Sequence, residues 1–253
     1  MLVQKKGFLF DVDGTLTTFG RQDSIIDLLI INDLELIRQK GYPIGLITGR
    51  SVEWVKNFFF KHVNETLKDF IQIFGEYGLI NWINGKKRKA TIPIETKKIL
   101  SKVKKEIIKA ICDYKELIPI LSYTNPDERS LWIEPKEVMI TFRALPIYGL
   151  TSDKYLKIIE PIIQNYSNIL KIVQSPLAID ILPIEASKKT AAEKAIKVLD
   201  LEKKVNKWYA FGDSDADSEM ALAENSVVKF YKIKSGVTSE LHYYIEKILC
   251  DKI

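Results

Sequence analysis

Gly7-Phe8-Leu9-Phe10-Asp11-Val12-Asp13-Gly14-Thr15-Leu16 is the stretch whose reading decides the fold. Residues 7–10 are a short apolar run, cut off by two aspartates and a glycine. An apolar run of strand length that ends in a polar, glycine-containing loop is the first half of a strand–loop–helix unit. The pattern repeats outward from there. Residues 24–40 carry helical periodicity up to the stop signal Lys40-Gly41, and residues 43–47 form a second apolar strand ending in Thr48-Gly49-Arg50. Residues 52–60 read as a helix and residues 71–75 as a third strand, followed by Glu76-Tyr77-Gly78 and a hairpin turn at Asn84-Gly85. Strand–helix alternation of this kind predicts a Rossmann-like, doubly wound parallel sheet.

From about Ala90 the texture changes. Residues 96–115 predict a lysine-rich amphipathic helix with Ile99, Val103, Ile107 and Ile111 on one stripe. Short strands follow at 130–133 and 138–142, then a helix at 154–166 that Pro161 should kink or divide. Strands at 169–173 and 178–182 complete an α-β-β-α-β-β order, read as an inserted α+β domain over residues 85–183. The α/β pattern then resumes: a helix at 188–199, a strand at 208–211 running into Gly212-Asp213-Ser214-Asp215-Ala216-Asp217, and a helix at 218–223. Residues 1–84 and 184–253 together form the expected core.

Composition narrows the function classes. The 253 residues are 46% hydrophobic and 28% charged, ordinary proportions that exclude disordered and fibrous classes. Two cysteines and two histidines leave no disulfide framework, zinc ribbon or histidine cluster. The net charge is +5, but arginine is sparse and lysine carries the surplus, so composition does not point to a nucleic-acid partner. No run is long and apolar enough to span a bilayer, and a cytoplasmic protein, a monomer or homodimer, is expected.

Chemistry concentrates where three strands end, at Asp11/Asp13, Thr48 and Asp213/Asp217. In an open α/β sheet, the carboxyl ends of the strands form the ligand crevice. Four carboxylates gathered there repel one another unless a cation joins them, and an all-oxygen donor set favours Mg²⁺. Taken singly, each aspartate could be a turn residue or helix cap.

These residues are similar to the four motifs of the haloacid dehalogenase-like phosphohydrolases. Asp11-Val12-Asp13-Gly14-Thr15-Leu16 resembles the first, Leu46-Ile47-Thr48-Gly49-Arg50 the second, Ser187-Lys188 the third and Gly212-Asp213-Ser214-Asp215-Ala216-Asp217 the fourth. The insertion resembles the C2-type cap of the Cof, sucrose-phosphatase and phosphomannomutase branch. Glu76-Tyr77-Gly78 stands where these proteins carry Glu-Asn-Gly.

The resemblance implies roles. Asp11 is the nucleophile that forms an aspartyl-phosphate, and Asp13 is the acid and base serving leaving group and water. Thr48 and Lys188 grip the phosphoryl oxygens, while Gly14 and Gly49 let backbone approach them. Mg²⁺ is held by Asp11, Asp13 through its carbonyl, and Asp213. Asp217 is either a further ligand through water or an orienter of Lys188. A register slipped by one residue would give the phosphate contact to Lys189. Asp215 and Ala216 depart from the branch pattern. In the cap, Arg143 is a candidate for the leaving group, with Lys136 and Arg129 weaker ones; each reads more readily as a surface charge.

The implied activity is Mg²⁺-dependent hydrolysis of a small phosphorylated metabolite, a sugar phosphate or phosphoglycolate-like compound. A phosphomutase shares these motifs, and a non-catalytic phospholigand-binding protein would be expected to lose Asp11 or Asp13.

Overall fold

The computed structural model describes residues 5–18, 26–202, 204–224 and 227–252. The chain divides into two compact units, Met1–Lys89 with Ser187–Ile253, and Ala90–Ala186.

In the first unit a seven-stranded sheet has the order β12-β11-β1-β2-β3-β4-β5. Its strands are β1 Lys5–Phe10, β2 Ile44–Ile47, β3 Gln72–Gly75, β4 Ile80–Ile83, β5 Lys86–Lys89, β11 Val205–Gly212 and β12 Val228–Lys232. The five strands from β12 to β3 run parallel, and β4 and β5 add an antiparallel edge. Asn84 and Gly85, both at positive φ, make the turn between β4 and β5, as the Asn-Gly pair predicts. That hairpin keeps Lys86–Lys89 in the core sheet. The insertion therefore starts at Ala90 rather than 85, and it ends at Ala186 rather than 183.

Helices cover both faces of this sheet. On one, α6 (Lys188–Leu199) buries Ala191, Ala192 and Ala195 against Leu9, Ile47, Phe74 and Trp208. Small side chains bring its backbone close to the strands. On the other, rings stack from strand to strand, Phe10 on Phe211 at 5.2 Å and Phe211 on Tyr231 at 5.5 Å. Tyr231 then meets Tyr244 of α7 (Thr238–Leu249) at 4.6 Å, and α7 packs on α1 (Leu28–Gln39). Asp27 caps α1 by accepting from Leu29 N–H at 3.0 Å; the expected start at residue 24 lies outside the described residues.

The expected helix at 52–60 is irregular. A single turn, α2 (Val52–Trp54), widens into a π-helical turn at Val55–Phe59 and tightens into a 3₁₀ turn at Phe60–His62. The N–H of Phe60 bonds the carbonyl of Val55, and the shifted register lets both Phe59 and Phe60 bury. A short α3 (Glu65–Phe70), capped by Asn64, leads into β3. Instead of the helix predicted at 218–223, a 3₁₀ helix covers Ala216–Leu222.

The second unit is a five-stranded sheet, β6-β7-β8-β10-β9, packed against α4 (Ile94–Lys115) and α5 (Ser152–Gln164). The strands are β6 Pro119–Leu121, β7 Leu131–Glu134, β8 Ile140–Arg143, β9 Leu170–Ser175 and β10 Ala178–Pro183. Strand β6 extends the expected α-β-β-α-β-β order by one edge strand. Val103, Ile107 and Ile111 form the buried stripe of α4, as their spacing predicts. Pro161 does not divide α5: the helix runs on to Gln164, keeping Ile159 and Ile163 buried on one side. Among the described residues, no helix is long and apolar enough to cross a membrane.

Candidate active site

Parallel strands β1, β2 and β11 end side by side, so the loops following them meet. Asp11 follows β1 and is buried. Its carboxylate Oδ1 accepts from Nζ of Lys188, the first residue of α6. Lys188 Nζ also lies 3.0 Å from Asp217 Oδ1 and donates to the carbonyl of Ile47 at 2.7 Å. Its placement follows from the local sequence. Ser187 caps α6 by accepting from Thr190 N–H, while Thr190 Oγ1 accepts from Ser187 N–H, both at 3.0 Å. This reciprocal cap fixes where α6 begins, and with it the residue facing β1. Lys189 instead makes a surface ion pair with Glu224 at 2.8 Å.

Carboxylate oxygens of Asp11, Asp213 and Asp217 come within 4.8 Å of one another. Asp217 is locked by Ser214, whose N–H and hydroxyl donate to Oδ2 at 2.9 and 2.6 Å. Gly14 has φ +78°, and a Cβ there would collide with the Asp213 carboxylate. Glycine is thus required twice over, by backbone conformation and by space. At Gly49 a Cβ would instead crowd the ring of Tyr77, at 3.1 Å. Asp215 is exposed and pairs with Lys232 at 2.6 Å, outside the triad, and Ala216 opens the 3₁₀ helix.

The electrostatics of this cluster are unbalanced. Burial pushes the Asp11 carboxyl well above the usual carboxylate range; Lys188 pulls it back, and Asp217 and Asp13 push it further. Burial also raises Asp213, against a hydrogen bond from Ser235. At Asp217 burial acts the same way, but Lys188 and the two Ser214 donors overcome it and its carboxyl is lowered. Burial disfavours the Lys188 ammonium, yet the two aspartates hold its pKa above the ordinary lysine value. One ammonium thus faces three carboxylates, and the charge of Asp11 is the one most disfavoured without a further cation. An all-oxygen triad with unneutralised charge fits a hard divalent cation.

Asp13 lies outside the triad. Its two carboxylate oxygens accept from Arg50, Oδ2 from Nε and Oδ1 from Nη2, both at 2.9 Å. The sequence reading gave Arg50 no role. The available signal was its place in the loop after β2, at the same sheet edge as Asp13. Thr48 Oγ1 is buried and accepts from Arg50 N–H at 3.0 Å. The following turn is tied to the same loop: Glu76 N–H bonds the Arg50 carbonyl at 2.9 Å and Tyr77 N–H the Thr48 carbonyl at 3.0 Å. Glu76, Tyr77 and Gly78 all have positive φ, two of them as non-glycine residues.

Sequence comparison agrees with this geometry. A family model described as haloacid dehalogenase-like hydrolase matches residues 8–140 and 129–228. The chain belongs to this family. It is therefore an α/β hydrolase of the haloacid dehalogenase-like kind. No curated protein matches it in sequence. Solved structures similar in fold include a haloacid dehalogenase-like hydrolase from Bacteroides thetaiotaomicron, 14% identical. That match covers 97% of this chain and 99% of the other, with a TM-score of 0.63. Aspergillus fumigatus trehalose-6-phosphate phosphatase is 14% identical over 97% of this chain and 92% of its own, with a TM-score of 0.54. Plasmodium falciparum IMP-nucleotidase is 13% identical over 98% and 68%, with a TM-score of 0.61.

The candidate Arg143 belongs to the second unit, on β8. It is not a surface charge: the residue is buried, with Nε 4.0 Å from Glu134 Oε2 and the guanidinium 5.4 Å from the Trp132 ring centre. The side chain of Lys136, also covered, pairs with Glu134 at 2.8 Å.

Proposed function

We propose that this hydrolase is a Mg²⁺-dependent phosphatase of a small phosphorylated metabolite, a sugar phosphate or phosphoglycolate-like compound, acting through an aspartyl-phosphate. The observation that carries the reading is Asp11 at the end of β1, bonded to Lys188 and grouped with Asp213 and Asp217. Asp11, Asp213 and the Asp13 carbonyl would hold Mg²⁺, with Asp217 as orienter of Lys188 or a ligand through water. When bound, the ion neutralises charge between the nucleophile and the phosphoryl group.

The chain's own residues account for the remaining chemistry. The Asp11 carboxylate attacks phosphorus, and the ester oxygen leaves with a proton from Asp13. Asp13 then takes a proton from water, which attacks the aspartyl-phosphate and releases phosphate and Asp11. Lys188 and the Thr48 hydroxyl stabilise the phosphoryl oxygens, aided by backbone at Gly14 and Gly49. Arg143 is the proposed cap contact to the leaving group. Phosphatases of small molecules among the similar structures support the substrate class. A cytoplasmic monomer or homodimer suits such an enzyme.

Phosphate release from a metabolite panel with Mg²⁺, with Asp11→Asn as control, tests the proposal. Release that depends on Asp11 is expected. An inactive wild type on all substrates, or activity undiminished by Asp11→Asn, would overturn it. Isomerised sugar in place of free phosphate would point to a mutase.

A further inference from the structure

We infer that Arg50 is a positioning residue, which acts by fixing the carboxylate of Asp13 for its work on the leaving group; this rests on the phosphatase reading above. Asp11 and Asp13 are two residues apart, yet their carboxylates have different surroundings. The first joins Asp213 and Asp217 and meets Lys188; the second lies outside that triad, on Arg50. A fourth carboxylate at the rim of a cation site is free to turn into it unless something holds it out. The guanidinium fork supplies that hold: two N–H donors at 2.9 Å, one to each oxygen, fix the plane of the carboxylate as well as its position.

Arg50 is itself immobilised. Its side chain is 4% exposed, against 31% for Asp13, so the pair is not an ordinary surface bridge. The guanidinium sits 4.2 Å from the Trp54 ring centre. Its N–H bonds Thr48 Oγ1 and its carbonyl accepts from Glu76 N–H. The guanidinium favours the ionised form of Asp13, so its service is orientation: general acid–base catalysis needs the proton given and taken along a fixed direction. A lysine in this position would be a point charge without the fork.

The test compares an alkyl phosphate, whose leaving oxygen needs a proton, with p-nitrophenyl phosphate, whose phenolate leaves without one. Wild type, Arg50→Lys, Arg50→Gln, Asp13→Asn and the double variant Arg50→Lys/Asp13→Asn are measured on both, with thermal unfolding checked for each. Each Arg50 variant should lose at least about tenfold more kcat on the alkyl ester than on the aryl ester, the pattern of a misplaced general acid. KM should move by less than about threefold, and in the Asp13→Asn background Arg50→Lys should cost less than about twofold, because the two act as one unit. Equal losses on the two esters, additive losses in the double variant, or failure of both Arg50 variants to fold would overturn the inference alone. A wild type inactive on both esters would overturn the phosphatase reading and this inference with it.

Discussion

Each unit contains a buried ionic cluster, one built around a lysine and the other around a glutamate. In the core, one lysine, Lys188, serves Asp11 and Asp217, with Asp213 beside them. In the insertion, one carboxylate, Glu134, has Lys136 at 2.8 Å and Arg143 at 4.0 Å. They are also assembled differently. The core cluster draws on loops after β1 and β11 and on the start of α6, whereas the other comes from β7, β8 and the turn between them. Buried charge of one sign favours a ligand of the other. The core cluster, an all-oxygen triad, therefore suits a cation.

The largest effect separating the two should come from the nucleophile. Asp11→Asn is expected to lower phosphate release by about 10⁴-fold, as removal of a covalent nucleophile does, while Glu134→Gln, a change inside the insertion, is expected to leave kcat on an aryl phosphate within about threefold of wild type. Steady-state kinetics of both variants checks this; an Asp11→Asn enzyme within tenfold of wild type would break the comparison.

Next in size is Lys188→Met, which leaves buried carboxylates without their cation and should cost about 3–5 kcal/mol of stability. Lys136→Met should cost less, because Arg143 remains beside Glu134. Urea unfolding of both variants ranks them, and the reverse order would show that the clusters were misjudged.

A third measurement is the melting temperature with Mg²⁺ and with a chelator. Mg²⁺ at 100 times its Kd should stabilise wild type by about 2.7 kcal/mol. Asp213→Asn should abolish the response, and Glu134→Gln should leave it intact.

The smallest effect concerns another buried acid, Asp33 of α1, whose carboxyl burial raises to about 6 despite hydrogen bonding to His242 of α7. Its native pKa lies above the unfolded one, so its contribution to stability is full below pH ~4 and is lost as pH rises through about 6. Asp33→Asn should therefore gain on wild type across that window. Chemical unfolding of both proteins at pH 4, 5 and 6.5 reads the trend; a variant whose stability falls relative to wild type as pH rises would contradict it.

How much was legible before folding depends on the range of the information. Strands β1, β2 and β3, the Asn84-Gly85 turn and the start of α6 rest on neighbours a few residues apart, and all were readable. Strand β12 and helix α7 were overlooked, although Leu241, Ile245 and Ile248 recur at helical spacing. Edge strand β6 carries little signal in three residues, two of them exposed. Arg143 and Lys136 read more readily as surface charges because the carboxylate they meet, Glu134, is recognisable only once β7 pairs with β8.

The sequence by itself determined the strands and helices that carry the site, β1, β2, β11 and α6, and the chemistry at three strand ends, since periodicity and turn residues act locally. Only the tertiary structure decided which carboxylate meets which cation: Asp11 and Asp217 share Lys188, while Asp13 is given to Arg50. Parallel strands joined by crossovers bring together residues far apart in the chain, and burial then makes each pairing a matter of several kcal/mol. A +5 surplus spread over the whole chain gives no hint of a core site that is short of positive charge.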